Sequence, residues 1–113
     1  MSYNPERWVI LCLTPKGEQP IYKVFAGWYG SYTTGASWKL NSGIEKVTKT
    51  KGNYSILGSS GSIYDCATAC EGMSGYMMQV LDGLKQQYKD IATIDIIPMK
   101  KYRKETNATT ETL

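Results

Sequence analysis

The residues 58–72, GSSGSIYDCATACEG, gather two thiols (Cys66, Cys70), two carboxylates (Asp65, Glu71) and a Gly/Ser stretch into one short run. Three chemistries use such residues. The first is phosphate binding through Gly58, Ser59, Ser60, Gly61 and Ser62. A phosphate loop needs glycines that let backbone N–H groups converge, followed by Lys and Ser or Thr. No Lys follows here, and a dinucleotide fingerprint would need a third glycine. A phosphate or nucleotide site at 58–62 therefore stands as the alternative to a tight chain reversal that small side chains permit. The second chemistry is metal binding. A structural zinc site takes four Cys or His ligands, whereas the chain holds three cysteines and no histidine. Neither metal nor cofactor is expected. Cys66 and Cys70 are spaced C-x3-C, not the C-x2-C of a thioredoxin-type motif, and read as small buried hydrophobes. The third is acid–base catalysis. Without histidine the side chain best matched to neutral pH is missing. Asp65 with Glu71, or Asp82 with Asp95, could pair, but nothing in their spacing selects them. No catalytic residue is assigned.

A second candidate is the aromatic stretch GWYGSYTTGASW, residues 27–38. Tyr and Trp provide large, rigid contact area, and Ser and Gly provide adaptable hydrogen bonding, as in recognition loops. Trp28, Tyr29, Tyr32 and Trp38 are the expected binding residues; the competing reading places the tryptophans in the core at strand ends. Lys100, Lys101, Arg103 and Lys104 could touch phosphates, though such basic ends are commonly just solvated.

The elements that must position these residues are legible in part. RWVILCLT (7–14) reads as a strand buried on both faces, and IYKVFAGWYG (21–30) as its hairpin partner. WKLNSGIEKVTKT (38–50) and NYSILGSS (53–60) flank a Lys51-Gly52 turn. Ser42-Gly43 marks a bulge or a break. SIYDCA (62–67) is either a short strand or the first turn of a helix. From Ser74 to Lys89, the residues Tyr76, Met77, Val80, Leu81, Leu84 and Tyr88 recur at helical spacing behind an N-cap serine. ATIDIIPM (92–99) is a last, edge strand ended by Pro98. The sum is an α+β fold, with one antiparallel sheet of five or six strands packed against one main helix at about 74–89. Residues 1–99 form the domain, and the polar residues 100–113 form a flexible tail outside the core.

At 113 residues the chain suits one domain. Its 42% apolar content excludes a disordered chain, and its net charge of +3 is too slight for a dedicated DNA-binding face. No run approaches the roughly 20 apolar residues of a membrane span. The odd cysteine count agrees with a reducing compartment, so a cytoplasmic location is expected.

Ser42, Gly43, Ile44, Gly58 to Ser62, Tyr64 and Cys66 follow an S-G-I…G-S-S-G-S-x-Y-x-C pattern ahead of a helix. Over residues 38–84 the chain resembles small accessory proteins of tailed bacteriophages, most of which have no assigned activity. The resemblance implies a phage accessory gene, action in the host cytoplasm, and binding to a host protein. The resulting expectation is a non-enzymatic protein that binds a host protein or a second copy of itself. Its alternative is a small enzyme or nucleotide-binding protein built on residues 58–72.

Overall fold

The computed structural model describes residues 1–106 and 109–111. The chain runs β1 (Ser2–Tyr3), β2 (Arg7–Pro15), β3 (Ile21–Trp28), β4 (Ser37–Leu40), β5 (Ile44–Thr50), β6 (Asn53–Gly58) and β7 (Ile63–Ala67). It continues through a short 3-10 turn (Thr68–Cys70), α1 (Gly75–Tyr88), β8 (Ala92–Ile97), α2 (Met99–Thr106) and β9 (Thr109–Glu111). The strands form two sheets, not one. The first has the order β4-β3-β2-β8, the second β1-β7-β6-β5-β9. All pairings are antiparallel except the flanking ones, β1 with β7 and β5 with β9.

The single sheet expected from the sequence is thus corrected to two stacked sheets with α1 on the outside. The register of β2 and β3 shows why this chain needs three layers. Trp8, Ile10, Val24 and Ala26 face the second sheet and pack on Val47 and Ile56. Val9, Leu11 and Phe25 point the other way, against Met77 and Leu81 of α1. Successive strand side chains alternate sides, so a strand apolar at every position needs a cover on each face. The both-faces burial of β2 read from its sequence holds: Trp8 to Leu11 are all buried.

The chain crosses between sheets at Asn41-Ser42-Gly43. Asn41 is buried at 4% exposure and extends the β4 ladder past its end. Its N–H donates to the Val24 carbonyl at 3.0 Å, and its Oδ1 accepts from the Val24 N–H at 2.9 Å. The side chain supplies the acceptor that a continuing strand would have offered, leaving the backbone free to turn at Gly43, whose φ is 140°.

Other local expectations are met. Lys51-Gly52 is the β5–β6 turn, with Thr50 opposite Asn53 and Gly52 at φ 75°. Residues 63–67 form strand β7. Ser74 caps α1, its Oγ accepting from the Met77 N–H at 3.2 Å. The basic end requires a second correction. Residues 99–106 form α2, with Met99 and Tyr102 buried at 1% and 2% exposure in the core between the sheets. The Tyr102 ring packs edge-on against Tyr22 at 5.1 Å. The boundary drawn at residue 99 falls inside this element, and residues 107, 108, 112 and 113 lie outside the described residues. No helix among the described residues is long and apolar enough to cross a membrane.

Candidate binding surface

Residues 58–72 do three structural jobs. Residues 58–62 turn the β6–β7 hairpin. The amides of the first four are spent inside the protein: Gly58 N–H donates to the Ser62 carbonyl, Ser59 to Gly43, Ser60 to the Ser42 hydroxyl, and Gly61 to Gly58, all at 2.8–2.9 Å. The hairpin therefore offers hydroxyl groups, not a nest of converging amides. Cys66 sits at 0% exposure in the core. Burial, then the neighbouring Asp65, Cys70 and Glu71 charges, push its thiol far above the ordinary range. A thiol held protonated is a poor nucleophile and metal ligand. Among the described residues no three His, Cys, Asp or Glu side chains gather into a metal site.

Glu71 and Gly72 join distant elements. The Glu71 carboxylate accepts from the Met99 N–H at 2.8 Å, an N-terminal cap for α2 supplied from 28 residues upstream. Its carbonyl accepts from the Arg7 guanidinium at 3.3 Å. Gly72 donates its N–H to the Trp8 carbonyl beneath the Arg7 guanidinium, at a φ of 136° that side-chain-bearing residues rarely adopt.

The four expected binding aromatics separate. Trp28 and Trp38 lie on opposite faces of the first sheet, because Trp28 pairs with Ser37 and Trp38 with Gly27. Trp28 is half-buried against the inter-sheet core and donates its Nε1–H to the Asn4 carbonyl at 3.0 Å. Trp38 packs edge-on against Phe25, at 5.8 Å, while keeping 37% of its surface exposed. Tyr29 and Tyr32 stand at the loop tip, with Tyr32 fully in solvent at 105%. The loop beneath them is pinned. Ser31 N–H donates to the Thr34 carbonyl at 2.7 Å, Thr34 N–H to the Ser31 hydroxyl at 3.0 Å, and Tyr29 N–H to the Glu6 carboxylate at 3.0 Å. Gly30 has a φ of 83° and faces the Thr34 and Gly35 carbonyls too closely for any side chain.

Beside this loop a cleft opens where β4, the edge of the first sheet, meets β1 and the β6–β7 hairpin of the second. One part, about 370 Å³, is lined by Lys23, Lys39, Ser42, Ser60, Ser62 and Tyr64, among others. A neighbouring groove of about 530 Å³ is lined by Trp28, Trp38, Asn4 and Ser37. Tyr3 and Lys39 line both, with the Lys39 ammonium 5.1 Å from the centre of the Tyr3 ring. Of the alternative phosphate residues, Ser60 and Ser62 face this cleft. Tyr3, Lys23, Lys39 and Ser42 were not legible as site residues, because they lie far apart in sequence and only sheet stacking unites them. The basic residues of α2 are elsewhere: Lys100, Lys101 and Lys104 are exposed, and Arg103 covers the Tyr54 ring at 5.8 Å.

No family model, curated protein or solved structure matches the chain. The likeness to phage accessory proteins rests on the small-residue pattern of residues 38–84 alone.

Proposed function

We propose that this chain is a non-enzymatic binding protein that presents Tyr29 and Tyr32 to a protein partner, either a host protein or a second copy of itself. The observation that supports this reading is the fully exposed Tyr32 on a loop whose backbone is already fixed by hydrogen bonds and by Gly30. A ring held out on a preorganised loop loses little entropy on docking, and few such residues can dominate an interface. The inert Cys66 thiol favours binding over covalent chemistry at residues 58–72. Origin as a phage accessory protein acting on a host factor belongs to the same reading.

The test is Tyr32→Ala, alone and with Tyr29→Ala. Neither ring contributes to the core, so the melting temperature should hold. Self-association, or affinity for a protein captured from lysate and then purified, should weaken by at least about 1 kcal/mol. A variant that unfolds, or one that binds every purified partner as tightly as the parent, would remove the loop from consideration.

A further inference from the structure

We propose that the outer edge of β8 takes an extended acidic segment of a partner protein as an added strand, with its acidic side chains against Lys85 and Lys89 of α1. β8 ends the first sheet, and no strand among the described residues borders its far side. The phase of the ladder shows what that side offers. Lys16 donates its N–H to the Ile91 carbonyl at 2.8 Å, one step past the Pro15–Ala92 pair. In an antiparallel pair, successive residues turn their backbone polar groups alternately toward the neighbouring strand and away from it. Ile91, Thr93, Asp95 and Ile97 therefore face β2, and Ala92, Ile94 and Ile96 present their N–H and C=O groups outward. The opposite phase would ask Pro15 for an N–H that proline lacks. Such an outward row is a template for one more strand.

The charges beside the edge select what that strand carries. A groove of about 270 Å³ lies along it, bordered by Ala92, Thr93, Ile94 and Asp95 of β8 and by Lys85 and Lys89 of α1. Both lysines are exposed, and neither forms an ion pair among the described residues. They stand one helical turn apart, about 6 Å. Alternate residues on one face of a strand are about 7 Å apart, so two acids spaced i, i+2 match the pair. The register keeps the other face distinct. Ile94 pairs with Leu13 and Ile96 with Leu11, on the α1 side, whereas Asp95 pairs with Cys12, toward the second sheet. Asp95 therefore opposes acids only on the face away from the lysines. Ile96, 44% exposed, continues the α1-side row with an apolar contact.

A second copy fits this edge less well. Two β8 edges paired antiparallel about a twofold axis would set both α1 helices on one face of the joined sheet and bring their lysines together. Like charges so placed discourage self-pairing. Tyr29 and Tyr32 belong to the β3–β4 connection and do not line this groove, so this proposal and the loop-mediated binding reading can fail independently.

The experiment is an NMR titration of the full chain with the blocked peptide VTETETV, whose alternation puts both acids on one face in either chain direction. The controls are VTKTKTV, then VTTEETV, which splits the acids between the faces, and VTETETV N-methylated at alternate amides in each of the two phases. VTETETV should bind saturably, shift the Ala92, Ile94 and Ile96 amides, and bind at least about fivefold more tightly than VTKTKTV or VTTEETV. Methylation should abolish binding in one phase only, because alternate amides face the edge. Lys85→Ala/Lys89→Ala should weaken binding about fivefold, Lys85→Glu/Lys89→Glu should reverse the preference to VTKTKTV, and Lys100→Ala/Lys101→Ala should change nothing. Circular dichroism confirms that these surface variants remain folded. Equal binding of the three sequences, the same result from both methylation phases, shifts confined to another part of the chain, or no saturable binding would overturn the proposal. So would a concentration-dependent dimer that shifts the same three amides without peptide, since it would assign the edge to a second copy.

Discussion

Gly27 lies beneath Met77, and adding one methyl group there tests how closely α1 is seated on the sheet. In β3, Gly27 pairs with Arg7 on one side and Trp38 on the other, facing the helix. A Cβ at this position would stand 2.6 Å from the Met77 Cγ and nearer still to its Sδ. Met77 is itself fully buried in the first turn after the Ser74 cap, so it cannot swing aside without leaving the cluster it shares with Phe25 and Leu81. Overpacking of this kind costs about 1–3 kcal/mol. Gly27 does not have a positive φ, so alanine adds no backbone strain and recovers about 0.4–1 kcal/mol through the unfolded chain. The net expectation for Gly27→Ala is a loss of up to about 2.5 kcal/mol, about 1 kcal/mol or more where the overpacking cost lies in the upper part of its range, read as a lower urea midpoint at unchanged slope. Met77→Ala alone should cost about 2–5 kcal/mol. In that background Gly27→Ala should be close to neutral, giving a coupling of at least about 1 kcal/mol in the double-mutant cycle. Equal cost of Gly27→Ala in both backgrounds would refute the seating of Met77 over Gly27.

Leu81, 2% exposed beside Met77, should lose about 2–5 kcal/mol on truncation to alanine; a loss near zero in chemical denaturation would mean that this helix face is solvated. Asn41→Ala removes the acceptor of the buried Val24 N–H and should cost about 1–3 kcal/mol, with faster amide exchange at Val24 as the local readout. The Cys66 thiol stays protonated in the folded protein at pH values where it ionises in the unfolded chain, so its contribution is complete below about pH 8.5 and declines above it. Cys66→Ala should flatten that decline up to about pH 10, where Tyr22, Tyr64 and Tyr102, also raised by burial, extend it; parallel curves for both proteins would contradict the buried thiol.

The sequence by itself determined the pieces whose signals are short-range. The α1 stripe of Met77, Val80, Leu81 and Leu84 and its Ser74 cap are properties of one helix. The Lys51-Gly52 turn follows from local backbone preference. From Trp8 to Leu13 the β2 run is apolar at every position, which states that both faces are covered. Only the tertiary structure decided what covers them. Alternation in β6 and β7 says that one face is buried, never which sheet it is buried against, so two stacked sheets read as one. The buried Asn41 at the crossing looks like any polar residue in a broken strand until its side chain is seen completing the ladder. In α2, Met99 and Tyr102 are outnumbered by Lys100, Lys101, Arg103, Lys104 and Glu105, so the composition reads as a solvated end; the space for Tyr102 beside Tyr22 exists only once the sheets are stacked. Trp28 and Trp38 looked like one surface and were split by strand register. Tyr3, Lys23, Lys39 and Ser62 share a cleft because two sheet edges meet there, a long-range juxtaposition that no local pattern encodes.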